Sequence, residues 1–313
     1  CITAALTIGG AAVYVYVQYT SPSKLAQGSD IVIPQGTGVR GIADIFRRQN
    51  IIQEPLVFLL GVRIAGLDRA LRAGEYHFPA RVSPKQAAEI LATGDTVKRF
   101  VTIPEGLRSS EIVTRINLVD GLIGEISDVP PDGMLLPETY QFSFGDTKQS
   151  IIDRMAAAHD ALVTQLWPGR EANLPYDTIE EAIVLASIVE RETGVAAERP
   201  RVAGVFVNRL RMNMRLQSDP TVAYAISPDK PLDRALTRAD LKFDSPYNTY
   251  VSSGLPPGPI TNPGRDAIYA VLHPAETDEV YFVADGTGGH AFARTLDEHN
   301  RNVARWRRIR DRQ

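Results

Sequence analysis

The stretch 180–194, EEAIVLASIVERETG, constrains the fold more than any other part of the chain. Ala182 to Val189 are all apolar or small, and the run ends on Glu190, Arg191 and Glu192. A helix that is apolar on every side belongs inside a domain. The chain must therefore enclose a buried helical post whose last turn carries carboxylates. Asp177 and Thr178, followed three residues on by Glu180 and Glu181, mark its start as a capping box. A helix over about 179–193 puts Glu190 on the face of Ser187, Ala186 and Ile183. At 100° per residue Glu192 lies about 200° further round, so the two glutamates do not share a face. One can face the fold or a cleft while the other faces water. A carboxyl against apolar walls keeps its proton to higher pH, as a general acid at neutrality requires. The alternative is a pair of solvated last-turn residues, which the helix dipole slightly disfavours.

Composition narrows the chemistry. The 313 residues suffice for about two domains. A net charge of −3 gives no argument for nucleic acid, which would favour a basic surface, and none is expected as a partner. Cys1 is the single cysteine, so no internal disulfide forms. His77, His159, His273, His290 and His299 show no metal-ligand spacing, and nothing else implies a metal or cofactor. Ser187 sits in LASIV rather than a G-x-S-x-G elbow. The glycines of DGTGGH (285–290) follow a strand without opening a helix, so they read as a hairpin turn.

Residues 1–17 hold no charge, and the first charged residue is Lys24. A spanning helix needs about 17 apolar residues or more, so residues 1–20 read as a transmembrane anchor truncated at its N-terminus. Tyr14, Tyr16 and Tyr19 suit the interface. A signal-peptide core and an acylated Cys1 are the alternatives.

The expected fold class is α+β. IPQGTGVRGIADIF (33–46) recurs as IPEGLRSSEIVTRI (103–116), each copy a strand, a Pro-x-Gly turn and an amphipathic helix. SPKQAAEILATG (83–94) is a helix with Ser83 as cap, Pro84 in its first turn and Gly94 at its end. Residues 28–98 thus form a small α+β module, 99–128 a connecting strand–helix unit, and 129–313 a larger α+β domain. In that domain the patterns mark helices at 202–213 and from the capping box at 295–298 to about Arg310. They also mark a hairpin of EVYFVAD (279–285) with HAFA (290–293).

Two polar segments attract attention. Gln217 and Asp219 lie on a turn before Pro220, where Asp219 could instead cap a helix. Tyr247, Asn248 and Tyr250 lie in a loop stiffened by Pro256, Pro257, Pro259 and Pro263. Aromatic faces with amide and hydroxyl groups suit a sugar, although such a loop can also serve only to pack a core.

ASIVERET (186–193), VFVNRLRMNMRLQSDPTVAYA (205–225), YNTYVSSGLPPGPITNPG (247–264), HPAETDEVYFVADGTGGHAFARTLDEHN (273–300) and LPETYQF (136–142) occur in this order. Together they resemble the endolytic murein transglycosylases of the MltG (YceG-like) family. The resemblance implies a single-pass inner (cytoplasmic) membrane protein with an anchor, a LysM-like module and an extracytoplasmic catalytic domain. It implies cleavage of the MurNAc-β-1,4-GlcNAc bond in nascent peptidoglycan to give 1,6-anhydro-MurNAc ends, terminating glycan polymerisation, with peptidoglycan synthases as further partners. The catalytic residue it points to is Glu190, with Glu192 as second choice. Such a lyase needs no activated water, because the sugar's C6 hydroxyl attacks C1 and one carboxyl serves as acid and then base. Gln217, Asp219, Tyr247, Asn248 and Tyr250 are the expected substrate-binding residues. Arg209, Arg211 or Arg215 could meet stem-peptide carboxylates. The pattern departs at Leu135–Leu136 and Glu138, where the family often has an aromatic and an aspartate, so a substrate role for that segment stays open. Two other readings remain: a non-catalytic peptidoglycan-binding or scaffolding protein, and a hydrolase pairing Glu190 with Asp219.

Overall fold

The computed structural model describes residues 2–311, with side chains for Thr7 and from Gly9 onward. Cys1 and most side chains of the first turns of the expected anchor lie outside the described residues. The first helix, α1, spans Ile2–Thr20. Among the described residues no helix is long and apolar enough to cross a membrane.

The elements follow as β1 (Ser29–Ile33), α2 (Val39–Arg48), α3 (Pro55–Ile64), β2 (Gly74–Phe78) and α4 (Pro84–Thr93). Next come β3 (Arg99–Thr102), α5 (Ser109–Asn117), β4 (Thr139–Phe142) and α6 (Lys148–Leu166). The last part holds α7 (Ile179–Glu192), α8 (Arg199–Arg211), α9 (Asp219–Ile226), α10 (Arg265–Leu272), β5 (Tyr281–Ala284), β6 (His290–Ala293) and α11 (Leu296–Arg310). The fold is mixed α+β, with the described strands in two-stranded pairs: β1–β2, β3–β4 and β5–β6.

Contacts divide the chain into two compact groups of residues. One holds Cys1–Phe100, Asp120–Ile123 and Gln141–Thr147. The other holds Val101–Val119, Gly124–Tyr140 and Lys148–Gln313. In the first, β1 and β2 pair antiparallel from Ser29↔Phe78 to Ile33↔Gly74. Alternation along β1 sends Ile31 and Ile33 inward. Phe46 of α2 meets Phe58 and Phe78 edge-on at 5.3 and 5.2 Å, the favoured geometry for aromatic rings. Ser83 and Gln86 complete the capping box of α4, and Gly94 closes that helix in the left-handed conformation at φ 74°.

In the second group α7 is the buried post. Thr178 accepts the Glu181 N–H and Glu181 reciprocates, so the capping box forms as the pattern predicts. Ala182 to Val189 are all buried, against α8 and α10. Burying each large aliphatic side chain there contributes about 1.5–3 kcal/mol. The two strand–helix copies also form, with Gly36 and Gly106 both at φ 76° in their turns. Thr295 caps α11 in a third capping box, and β5 pairs β6 across the glycine turn.

Some elements depart from expectation. α8 begins at Arg199 rather than 202, because Pro200 is accommodated in its first turn. α6 and α10 carry no marked cap and were not expected; tertiary burial of Ile151, Met155, Leu162, Ile268 and Val271 holds them. Asp219 does not cap a helix: α9 starts at Asp219, with Ser218 in the cap position.

Candidate active site

The last turn of α7 sends its two glutamates in different directions, as the helical angle requires. The Glu190 side chain is 5 % exposed. Its Oε1 receives Arg199 Nη2 at 3.1 Å, and its Oε2 receives the Gly264 N–H at 2.9 Å. Arg199 is itself buried and also pairs with Glu105 at 2.9 Å and Asp266 at 3.4 Å. Burial pushes the Glu190 carboxyl above its usual range, against the opposing pull of the Gly264 N–H and Arg199. Both oxygens of Glu190 are thus occupied by protein donors.

Glu192 lies in a different setting. Its Oε1 accepts the Ser218 hydroxyl. Among the described residues it forms no ion pair. Burial pushes its carboxyl up to about 7, and the neighbouring Asp219 charge adds to the rise. Ser218, His290 and Arg209 oppose it. Desolvation dominates, so Glu192 holds a proton near neutrality, as a general acid must.

The segment after α8 and the proline-rich loop meet beside Glu192 through buried hydroxyl and backbone contacts. The Gln217 N–H donates to the Thr249 carbonyl at 3.1 Å, and the Ser218 N–H donates to Thr249 Oγ1 at 3.0 Å. The Thr221 and Thr249 hydroxyls lie 2.8 Å apart. Gln217 adopts a left-handed φ of 51°, uncommon for a residue with a side chain. Tyr250 Oη donates to Asp219 Oδ1 at 2.6 Å. The Asp219 charge acts on Glu192, whereas the charges acting on Glu190 are those of Glu105 and Arg199.

The five expected substrate residues separate into two sets. Gln217 and Asp219 are exposed and flank Ser218, which holds Glu192, while half-buried Tyr250 is bonded to Asp219. Asn248 is 0 % exposed. Its amide donates to the Leu241 and Phe243 carbonyls at 3.2 and 2.8 Å, and its oxygen accepts the Tyr250 N–H at 2.9 Å. With its hydrogen-bonding groups engaged inward, Asn248 shapes the loop and is closed to substrate. Tyr247 packs against Tyr224 at 5.0 Å between ring centres, and Tyr224 donates to Asp132 at 2.9 Å.

The arginines separate likewise. Arg209 is buried and donates to the Val280 and Leu216 carbonyls, both at 2.6 Å, so it is not available to a stem peptide. Arg211 and Arg215 are exposed and donate to the carbonyls of Asn173 and Tyr250, each at 3.1 Å.

Several further side chains hold the site together through contacts that the sequence patterns do not specify. Ser218 lies between two expected site residues and holds Glu192. Ser187 donates to the Val184 carbonyl and accepts the Ile260 N–H, which ties the proline-rich loop to the post. Asn262 is buried, with its oxygen accepting the Gly133 and Leu135 N–H groups and its amide donating to Leu107 and Ser109. Glu198 receives both the ring and the backbone N–H of His290, which fastens the β5–β6 hairpin near the end of α7. Only the mixed polar composition of these loops signalled such residues. Among the described residues no cluster of side chains could hold a metal ion.

Comparison with known proteins adds to this geometry. Residues 31–305 match the profile of the YceG-like family. An endolytic murein transglycosylase of Bacillus subtilis (strain 168) is 32% identical over 95% of this chain and 90% of its own length. One from Streptococcus pneumoniae serotype 2 is 29% identical over 87% of this chain, which spans 57% of that protein. A crystal structure of a YceG-like protein from Listeria monocytogenes matches 88% of this chain and 99% of its own, at 30% identity and a TM-score of 0.55.

Proposed function

The chain belongs to the YceG-like family, and on that premise we propose that it is an endolytic murein transglycosylase whose acid is Glu192. The observation carrying the assignment is the contrast between the two glutamates. Glu190 is held by Arg199 and Gly264, whereas Glu192 has its carboxyl raised by burial to about 7, forms no ion pair among the described residues, and lies beside Asp219, to which Tyr250 is bonded. This moves the role from Glu190, the first expectation, to Glu192.

In the reaction, protonated Glu192 gives its proton to the oxygen joining C1 of N-acetylmuramic acid to C4 of N-acetylglucosamine. The C1–O bond breaks and the N-acetylglucosamine end leaves with its hydroxyl. Positive charge on the muramic ring faces the Asp219 carboxylate, which Tyr250 orients. Glu192, now a carboxylate, takes the proton of the C6 hydroxyl as O6 closes on C1. The product is a 1,6-anhydro end, and the acid is restored without water. Ordinary glycosidases need a second carboxyl for the nucleophile or base; here the substrate supplies the nucleophile.

Cutting within nascent strands would terminate their polymerisation, on the extracytoplasmic face of the inner membrane and beside the synthases. Support for membrane attachment is the uncharged run 1–17 and the exposed Val13, Tyr14, Tyr16 and Val17 of α1. Residues 28–98 would act as a LysM-like glycan-holding module, a reading supported by their strand, helices, strand and helix order. The test is digestion of uncrosslinked glycan strands in water enriched in oxygen-18. Anhydro ends without heavy oxygen are expected. Reducing ends carrying it would make the protein a hydrolase, and intact strands would make it a binding protein.

A further inference from the structure

Beside the last turn of α7 and the first turns of α9 lies a cleft of about 170 Å³. Its cations are Arg108, Arg191 and Arg234, and its apolar walls include Pro220, Leu232 and Leu236. Arg234 is neutralised by Asp240, which it contacts at 2.6 and 3.0 Å. The other two guanidiniums are not neutralised in this way. Arg108 spends its Nη1 on the carbonyls of Ser227 and Lys230 and lies over the Tyr224 ring at 5.0 Å. Glu111, also in the cleft, accepts the Arg108 backbone N–H at 3.1 Å. Arg191 is exposed, and among the described residues its side chain makes a single long hydrogen bond, 3.4 Å to the Gly106 carbonyl. Among the described residues neither Arg108 nor Arg191 forms an ion pair. Burial lowers the Arg108 pKa, the nearby Glu111, Asp132 and Tyr224 oppose that shift, and Arg191 adds to it by repulsion. Two guanidiniums brought together without an ion-paired carboxylate favour an anion between them, and a carboxylate fits their fork geometry.

The position of the cleft specifies the anion. α9 begins with Asp219, which neighbours Glu192, while Pro220 and Ala223 of the same helix wall the cleft. Arg191 of the cleft also directly precedes Glu192 in α7, so the cleft adjoins the Glu192 site through both α7 and α9. Muramic acid carries an anionic group on its 3-lactyl ether: a peptide of small methyl side chains and free carboxylates. We propose that Arg191, backed by Arg108, binds a carboxylate of the peptide stem on the muramic acid being cut, and so makes the enzyme selective for peptide-bearing strands. This rests on Glu192 being the cutting residue.

The test compares wild type and Arg191→Gln on uncrosslinked strands with their stems and on the same strands stripped by an amidase. Wild type is expected to favour stem-bearing strands. Loss of a charge-assisted hydrogen bond corresponds to about tenfold, so Arg191→Gln should cut that preference about tenfold, chiefly through KM. An unchanged ratio of kcat/KM between the two substrates overturns the proposal. A calorimetric titration with muramyl tripeptide, using the same full chains, reads the site without any cleavage. About tenfold weaker binding by Arg191→Gln supports it, and equal binding overturns it. Cleavage of neither strand type by wild type would instead refute the transglycosylase reading, leaving the titration to decide this one.

Discussion

Replacing Glu192 by Gln should stabilise the protein at alkaline pH while removing strand cleavage. Burial raises the Glu192 carboxyl from 4.5 to about 7. The unfolded chain therefore releases this proton near 4.5, while the folded protein retains it until about 7. Between those values the folded state binds more protons, so stability falls as pH rises; the group's contribution is intact below 4.5 and exhausted above about 7. A difference of about 2.5 pH units at 1.36 kcal/mol each corresponds to ~3 kcal/mol. Glutamine keeps an oxygen for the Ser218 hydroxyl but has no proton to release. Urea unfolding of both proteins from pH 4.5 to 8 measures the difference directly, and other titrating groups cancel in it. Glu192→Gln should gain ~3 kcal/mol on wild type across that range. The wild-type kcat should decline on the alkaline side of about 7. A difference curve that stays flat would refute the desolvated carboxyl, and the acid role with it.

Three further outcomes are expected. Glu190→Gln removes one partner of Arg199 but leaves Glu105 and Asp266. Denaturant melts should show a loss of about 1–3 kcal/mol, less than for an isolated buried pair, while strand cleavage persists. Tyr250→Phe deletes the hydrogen bond to Asp219, so kcat should fall about tenfold with an unchanged melting profile. Asn248→Ala leaves the Leu241 and Phe243 carbonyls and the Tyr250 N–H without partners. It should cost about 2 kcal/mol or more in thermal or urea unfolding.

Local signals were legible where the physics is local. The capping boxes at Thr178 and Thr295, the glycine stop at Gly94 and the β5–β6 hairpin follow from neighbouring residues. The separation of Glu190 from Glu192 likewise follows from the helical angle. Which of the two meets the site does not, because that depends on Arg199, Gly264 and Ser218, which lie 9, 74 and 26 residues away along the chain. The same limit applies to the proline-rich loop. Composition marks Tyr247, Asn248 and Tyr250 together, but only the fold shows Asn248 turned inward and Tyr250 turned to Asp219. α6 was illegible for a related reason: its burial is supplied by partners elsewhere in the chain rather than by its own capping pattern.

The account's central claim is that one desolvated carboxyl, Glu192, acts first as acid and then as base. It is tested most directly by mass spectrometry of the ends produced from uncrosslinked glycan strands by wild type, Glu190→Gln and Glu192→Gln side by side. The account predicts 1,6-anhydro ends from wild type and Glu190→Gln, and none from Glu192→Gln. Anhydro ends from Glu192→Gln, with loss of cleavage in a folded Glu190→Gln, would contradict it.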